Sequence, residues 1–95
     1  MSAYLIVQVQ VTDPQQYAKY TAVTPALLQQ FGGRFIVRGG PVEALEGTHD
    51  GRRVVVIEFP SVEQARTFWR SPAYAEAKKL RAEAAVVTAI VIPGA

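Results

Sequence analysis

The sequence contains no cysteine and only one histidine, one tryptophan and one methionine among 95 residues. Without cysteine there is no disulfide, no thiolate nucleophile and no sulfur ligand for a metal. The single histidine, His49, and the scattered carboxylates show no metal-ligand spacing. A serine triad has no suitable imidazole partner. Charge of one sign is also scarce, the formal net charge being +2. Arg52–Arg53 is the only adjacent arginine pair, and it reads as the solvated mouth of a strand rather than a phosphate grip. Neither Gly32-Gly33 nor Gly39-Gly40 is followed by the lysine of a phosphate-cradling loop. No apolar run approaches a membrane span, and the start Met1-Ser2-Ala3-Tyr4 lacks a basic region. Nucleic acid, membrane, metal and cofactor are therefore not expected, and cytoplasmic residence is.

What is present is a hydrophobic share of 49%, enough for a packed core. The length suits one domain, residues 1–95, without linker or low-complexity segment. A chain this short buries only about 60–65% of its unfolded surface. With disulfides and metals set aside, oligomerisation is the remaining source of extra stability.

Alternation of Leu5, Val7, Val9 and Val11 with Tyr4, Ile6, Gln8 and Gln10 predicts a strand over 3–11. Asp13 and Pro14 are a helix cap and first-turn proline, with Gln16 placed for a loose capping box. Tyr17, Tyr20, Thr24, Leu27 or Leu28, and Phe31 follow at helical spacing. Pro25 inside this pattern predicts a kink or break, and Gly32-Gly33 predicts the end. A second strand is expected over 34–39, with 40–46 as a bulged or edge continuation. After a turn at 47–51, Arg53 to Phe59 reads as a third strand buried on both faces. Ser61–Gln64 is a capping box, Ser71-Pro72 restarts the helix, and that helix is expected to reach about Ala85. Val86 to Ile92 is the last strand.

The order β-α-β-β-α-β predicts an α+β, ferredoxin-like sandwich: a four-stranded antiparallel sheet with helices on one face. Two helices cover one face only. The other carries Tyr4, Ile6, Val54 and Val56, or their neighbours in the alternative register. An apolar face of this kind predicts a two-fold homodimer, sheet against sheet.

Tyr4, Asp13-Pro14, Tyr17, Tyr20, Gly32-Gly33-Arg34-Phe35 and Arg38-Gly39-Gly40 make a recognisable pattern. Leu45-Glu46-Gly47, Glu58-Phe59, Ser71-Pro72-Ala73-Tyr74 and Arg81 extend it. The chain resembles the bacterial DUF1330 family, a domain of unknown function within the dimeric α+β barrel superfamily. The resemblance spans nearly the whole chain, with one departure at Leu5, where tryptophan is expected. It implies a ferredoxin-like protomer that dimerises through its sheet, and no established reaction. Relatives in the superfamily range from cofactor-free monooxygenases and lactone isomerases to haem enzymes and amino-acid sensors, so fold alone transfers no activity.

Candidate site residues follow from residue type. If strands two and three form a hairpin, Arg38 and Glu58 face the same side a residue or two apart. Such a pair orients a carboxylate or carbonyl, or is a structural ion pair at the dimer seam. Tyr17, Tyr20 and Tyr74 lie on helices and can converge over the sheet as donors, or simply pack in the core. Trp69 either lines an aromatic pocket or is core. Arg81 shares a helix face with Tyr74 as an anion clamp, or pairs with Glu76 or Glu83. His49 beside Asp50 sits in a glycine-rich turn and reads as solvent-exposed.

Two functions compete. One is a cofactor-independent enzyme of isomerase or monooxygenase type, acting on a small hydrophobic, carbonyl-bearing molecule between sheet and helices. It predicts a closed pocket of a few hundred Å³ and a raised pKa at Glu58. The other is a non-catalytic binding or structural dimer.

Overall fold

The computed structural model describes residues 2–95. Seven elements follow one another: β1 (Ala3–Val11), α1 (Pro14–Gln30), β2 (Arg34–Arg38), β3 (Arg53–Phe59), α2 (Val62–Trp69), α3 (Pro72–Lys79) and β4 (Ala85–Pro93). The strands form one antiparallel sheet in the order β2-β3-β1-β4. This is the expected ferredoxin-like α+β arrangement, with the second helical stretch divided in two. The molecule is only 16 Å thick in its short dimension, the depth of one helix layer on one sheet.

Strand alternation sorts the sheet residues as expected. Leu5, Val7 and Val9 of β1 and Val55, Ile57 and Phe59 of β3 are buried beneath the helices. Val87, Ala89 and Val91 of β4 pack beside them. From the helix side, Leu28, Ala65, Phe68, Tyr74 and Ala77 complete the core. Phe68 is its hub: its ring lies 4.5 Å from Tyr74, 5.5 Å from Phe59 and 5.6 Å from Phe31, centroid to centroid.

The capping residues act as expected. Asp13 accepts from the Gln16 amide, Ser61 from Gln64 and Ser71 from Tyr74. Ser71 also donates to the Phe68 carbonyl at 2.8 Å, tying α2 to α3. Gly32, with φ +81°, takes the left-handed conformation just past α1.

Four local expectations need correction. The helix does not break at Pro25 but runs unbroken from Pro14 to Gln30. Buried Tyr17 and Thr24 before the proline and Leu28 after it hold both halves on the core, which outweighs one lost backbone bond. Residues 40–46 form no strand. The sheet irregularity falls earlier, between Phe35 and Val37, and Gly39 makes the last bond of that edge, to the Val54 carbonyl. β3 is fully buried on one face only, Val54 and Val56 being half-buried. Finally, α3 ends at Lys79 rather than near Ala85. The carbonyl of buried Ala84 accepts the amides of Thr12 and Asp13, and the Leu80 carbonyl accepts the Gln16 side chain. These bonds to the start of α1 turn the chain into β4.

Candidate functional site

The site begins with the extra residue in β2. Arg34 pairs with Glu58 and Phe35 with Ile57, but then Val37 pairs with Val56 and Arg38 with Val55. Ile36 is the bulge, and it inverts the parity of everything after it. Arg38 therefore joins Phe35, Val55 and Ile57 on the helix-covered face, its guanidinium 4.3 Å from the centre of the Phe35 ring. Glu58 stays on the open face, where the Arg34 guanidinium donates to its carboxylate at 2.7 Å. The expected Arg38–Glu58 pairing is thus absent, because counting even-numbered residues fails across a bulge. The Arg34 bond holds the Glu58 carboxyl below its ordinary pKa of 4.5, the opposite of the rise expected for a proton-shuttling acid.

Under the helices lies a cavity of about 50 Å³. It is much smaller than the pocket expected from sequence and holds a few water molecules at most. Its walls include Tyr17, Tyr20, Trp69 and Tyr74, with Arg38 and Arg53 on the sheet side. The predicted aromatic residues are thus brought together around one space. The Tyr20 and Tyr74 hydroxyls meet at 2.7 Å, and the Trp69 and Tyr74 rings lie 4.9 Å apart. Burial raises the Tyr17 hydroxyl above its ordinary pKa, against the opposing pull of Arg53 and Arg81. Burial also raises Tyr20, with Tyr74 beside it adding to the effect. Both phenols are neutral near neutral pH, as donors must be.

Arg81 reaches this cluster from the turn after α3. Its Nη2 stands 3.4 Å from the Tyr74 hydroxyl and its guanidinium 5.3 Å from the Tyr20 ring centre. Glu76 pairs instead with Lys79, and among the described residues Arg81 forms no ion pair with Glu76 or Glu83. His49 bonds the Arg52 carbonyl and does not border the cavity.

Arg53 is the residue that sequence reading missed. Arg52 fits the expectation of a solvated hairpin end, pairing with Asp50 at 2.7 Å and donating to Thr88. Arg53 points the other way. Its Nε is buried without a hydrogen-bond partner, and a Cβ on Gly39 would collide with its guanidinium. Gly39 adopts φ +76°, so glycine there serves both the turn and the arginine. The signal was available in the alternation: Arg53 shares the odd-numbered face of Val55, Ile57 and Phe59. Among the described residues, none of Arg38, Arg53 and Arg81 pairs with a carboxylate. Also among them, no cluster of His, Asp or Glu could hold a metal ion. Among the described residues, no helix is long and apolar enough to cross a membrane.

The architecture and topology place the chain in the class of ferredoxin-like α+β proteins. The chain belongs to the family described as Domain of unknown function (DUF1330), which it matches over residues 2–95. A structure of a protein of unknown function from Rhodopseudomonas palustris is similar, with 24% identity and a TM-score of 0.77, over 99% of this chain and 82% of that one. SnoaB, a cofactor-independent oxygenase from Streptomyces nogalater, shares the fold at 14% identity and a TM-score of 0.70, over 99% and 93% of the two chains. A dimeric protein of unknown function and ferredoxin-like fold from Bacteroides fragilis matches at 14% identity and a TM-score of 0.59, over 98% and 96%. None of the curated proteins compared with it matches this sequence.

Proposed function

We propose that the aromatic cavity binds a small, planar, carbonyl- or phenol-bearing molecule in its enolate or phenolate form, and that the protein acts on it without a cofactor. The observation that carries this reading is the buried Nε–H of Arg53, which has no hydrogen-bond partner, with Arg38 beside the same cavity. A buried N–H without an acceptor is costly, and an oxyanion on the ligand is the group that would satisfy it. Arg38 is exposed at the mouth, so its side chain can move aside to admit a ligand larger than the free cavity. Arginine offers fork-shaped donors, and the apolar walls strengthen each of those bonds. Stabilising an enolate favours transfer of a proton from carbon to solvent water, the first step of cofactor-free isomerisation or oxygenation. SnoaB, of the same fold, is a cofactor-independent oxygenase.

A second reading has its own support. Among the described residues, no carboxylate or imidazole borders the cavity to take a proton, which favours a binder without turnover. Acetophenone in deuterated water separates the two. An enzyme accelerates deuterium incorporation at its methyl group, and Arg53→Met abolishes that acceleration. A binder takes up the ketone with no acceleration. Absence of any binding by acetophenone or 4-nitrophenolate contradicts both.

We also propose that the open sheet face is covered by a second copy of the chain, in the cytoplasm. Val86 and Ile90 are 60% and 58% exposed there, with Ile36 and Ile92 also open, and Leu45 on the β2–β3 loop is 91% exposed. Apolar residues gathered on one face mark an interface.

A further inference from the structure

The Tyr20–Tyr74 hydroxyl bond can run in either direction, and Arg81 lies beside both phenols. A guanidinium only donates, so the Tyr74 oxygen accepts from Arg81 Nη2 at 3.4 Å. Two hydroxyl protons remain, and the 2.7 Å contact between the phenols uses one of them. If Tyr20 donated, the free proton would belong to Tyr74, which also lines the cavity but is only 2% exposed and meets no other acceptor among the described residues. If Tyr74 donates, the free proton belongs to Tyr20, the less buried of these two cavity-lining residues. The cost of an unsatisfied buried donor decides for the second arrangement.

We infer that Arg81, through Tyr74, aims the Tyr20 hydroxyl proton into the cavity as a donor to a carbonyl oxygen of the ligand. Tyr20 is then a ligand-touching donor, and Arg81 and Tyr74 are positioning residues. This deepens the proposed function and rests on it for the ligand, although the direction of the hydrogen-bond chain stands on its own.

Two measurements test it. In the ligand-free protein, proton NMR separates the hydroxyl protons by exchange rate. The Tyr74 proton is expected to be protected and the Tyr20 proton to exchange rapidly with water. A protected Tyr20 proton beside a rapidly exchanging Tyr74 proton overturns the inference. With ligand, Trp69 fluorescence reports binding of acetophenone and of ethylbenzene, which lacks the oxygen. Tyr20→Phe is expected to weaken acetophenone about threefold to tenfold and leave ethylbenzene unchanged. Arg81→Met is expected to reproduce much of that loss, and Arg81→Lys to restore part of it. Equal losses for both probes would mean that Tyr20 only packs, and would overturn the donor role. If the wild-type protein binds neither probe, the proposed function fails while the NMR measurement still decides the direction.

Discussion

Arg53 and Gly39 show how much a single position can carry. The arginine occupies an inner sheet position that would ordinarily hold valine, and the glycine opposite leaves room for it. Gly39→Ala places a methyl group against the guanidinium at a positive φ. It is expected to cost about 1–2 kcal/mol in urea unfolding and to weaken 4-nitrophenolate binding. Tyrosine ionisation gives a pH prediction at the same scale. Burial, and then Tyr74, raise the folded pKa of Tyr20 above the ordinary 10.0, so at high pH the native state binds more protons than the unfolded one. Stability is full below about pH 10 and falls as pH rises beyond it. Tyr20→Phe should flatten the alkaline slope by up to one proton, or roughly 1.4 kcal/mol per pH unit, measured by urea unfolding at successive pH values. Glu58 works in the opposite sense: its pKa is lowered by Arg34, so its contribution is present above the unfolded value and lost as pH falls. Sequence could nominate the tyrosines and Trp69 because their helical spacing is local; Arg81, expected on a helix face, lies in the turn after α3. It could not place Glu58, whose neighbour is set by pairing across strands.

Among the elements, caps and strand alternation were legible because they depend on neighbours in the chain. Ser71 is the clearest instance, capping α3 while its hydroxyl bonds the Phe68 carbonyl in the core. Ser71→Ala should cost about 1–2 kcal/mol by denaturant unfolding, toward the upper end for a helix cap. The Ile36 bulge, the end of α3 and the continuity of α1 through Pro25 were not legible. Each is decided by contacts distant in sequence: the β2–β3 ladder, the Ala84 carbonyl held by Thr12 and Asp13, and the core under Leu28. Local propensity at Pro25 is worth about 3 kcal/mol against the helix, and tertiary packing exceeds it. Phe68 is where such packing concentrates. Phe68→Ala should cost about 3–5 kcal/mol, enough to threaten folding of a domain this small.

At the scale of the whole molecule, a slab 16 Å thick with helices on one side leaves the other side of the sheet unsheltered. The element order made this expectation available from sequence, because two helical stretches cannot cover two faces. A second copy seated on that side predicts a dimer by sedimentation equilibrium. Ile90→Glu, which puts a charge among exposed apolar neighbours on β4, should convert it to monomer while leaving the fold intact. The cavity lies on the opposite side of the same sheet, so loss of the dimer should leave acetophenone binding largely unchanged.

The most direct measurement of the central claim is the visible absorption of 4-nitrophenol bound to the protein, followed against pH. Guanidinium groups facing an oxyanion in an apolar cavity should make the bound phenol ionise about one pH unit or more below the free probe. Arg53→Met should erase that shift. A bound phenol that ionises at the same pH as the free probe, or higher, would contradict the account.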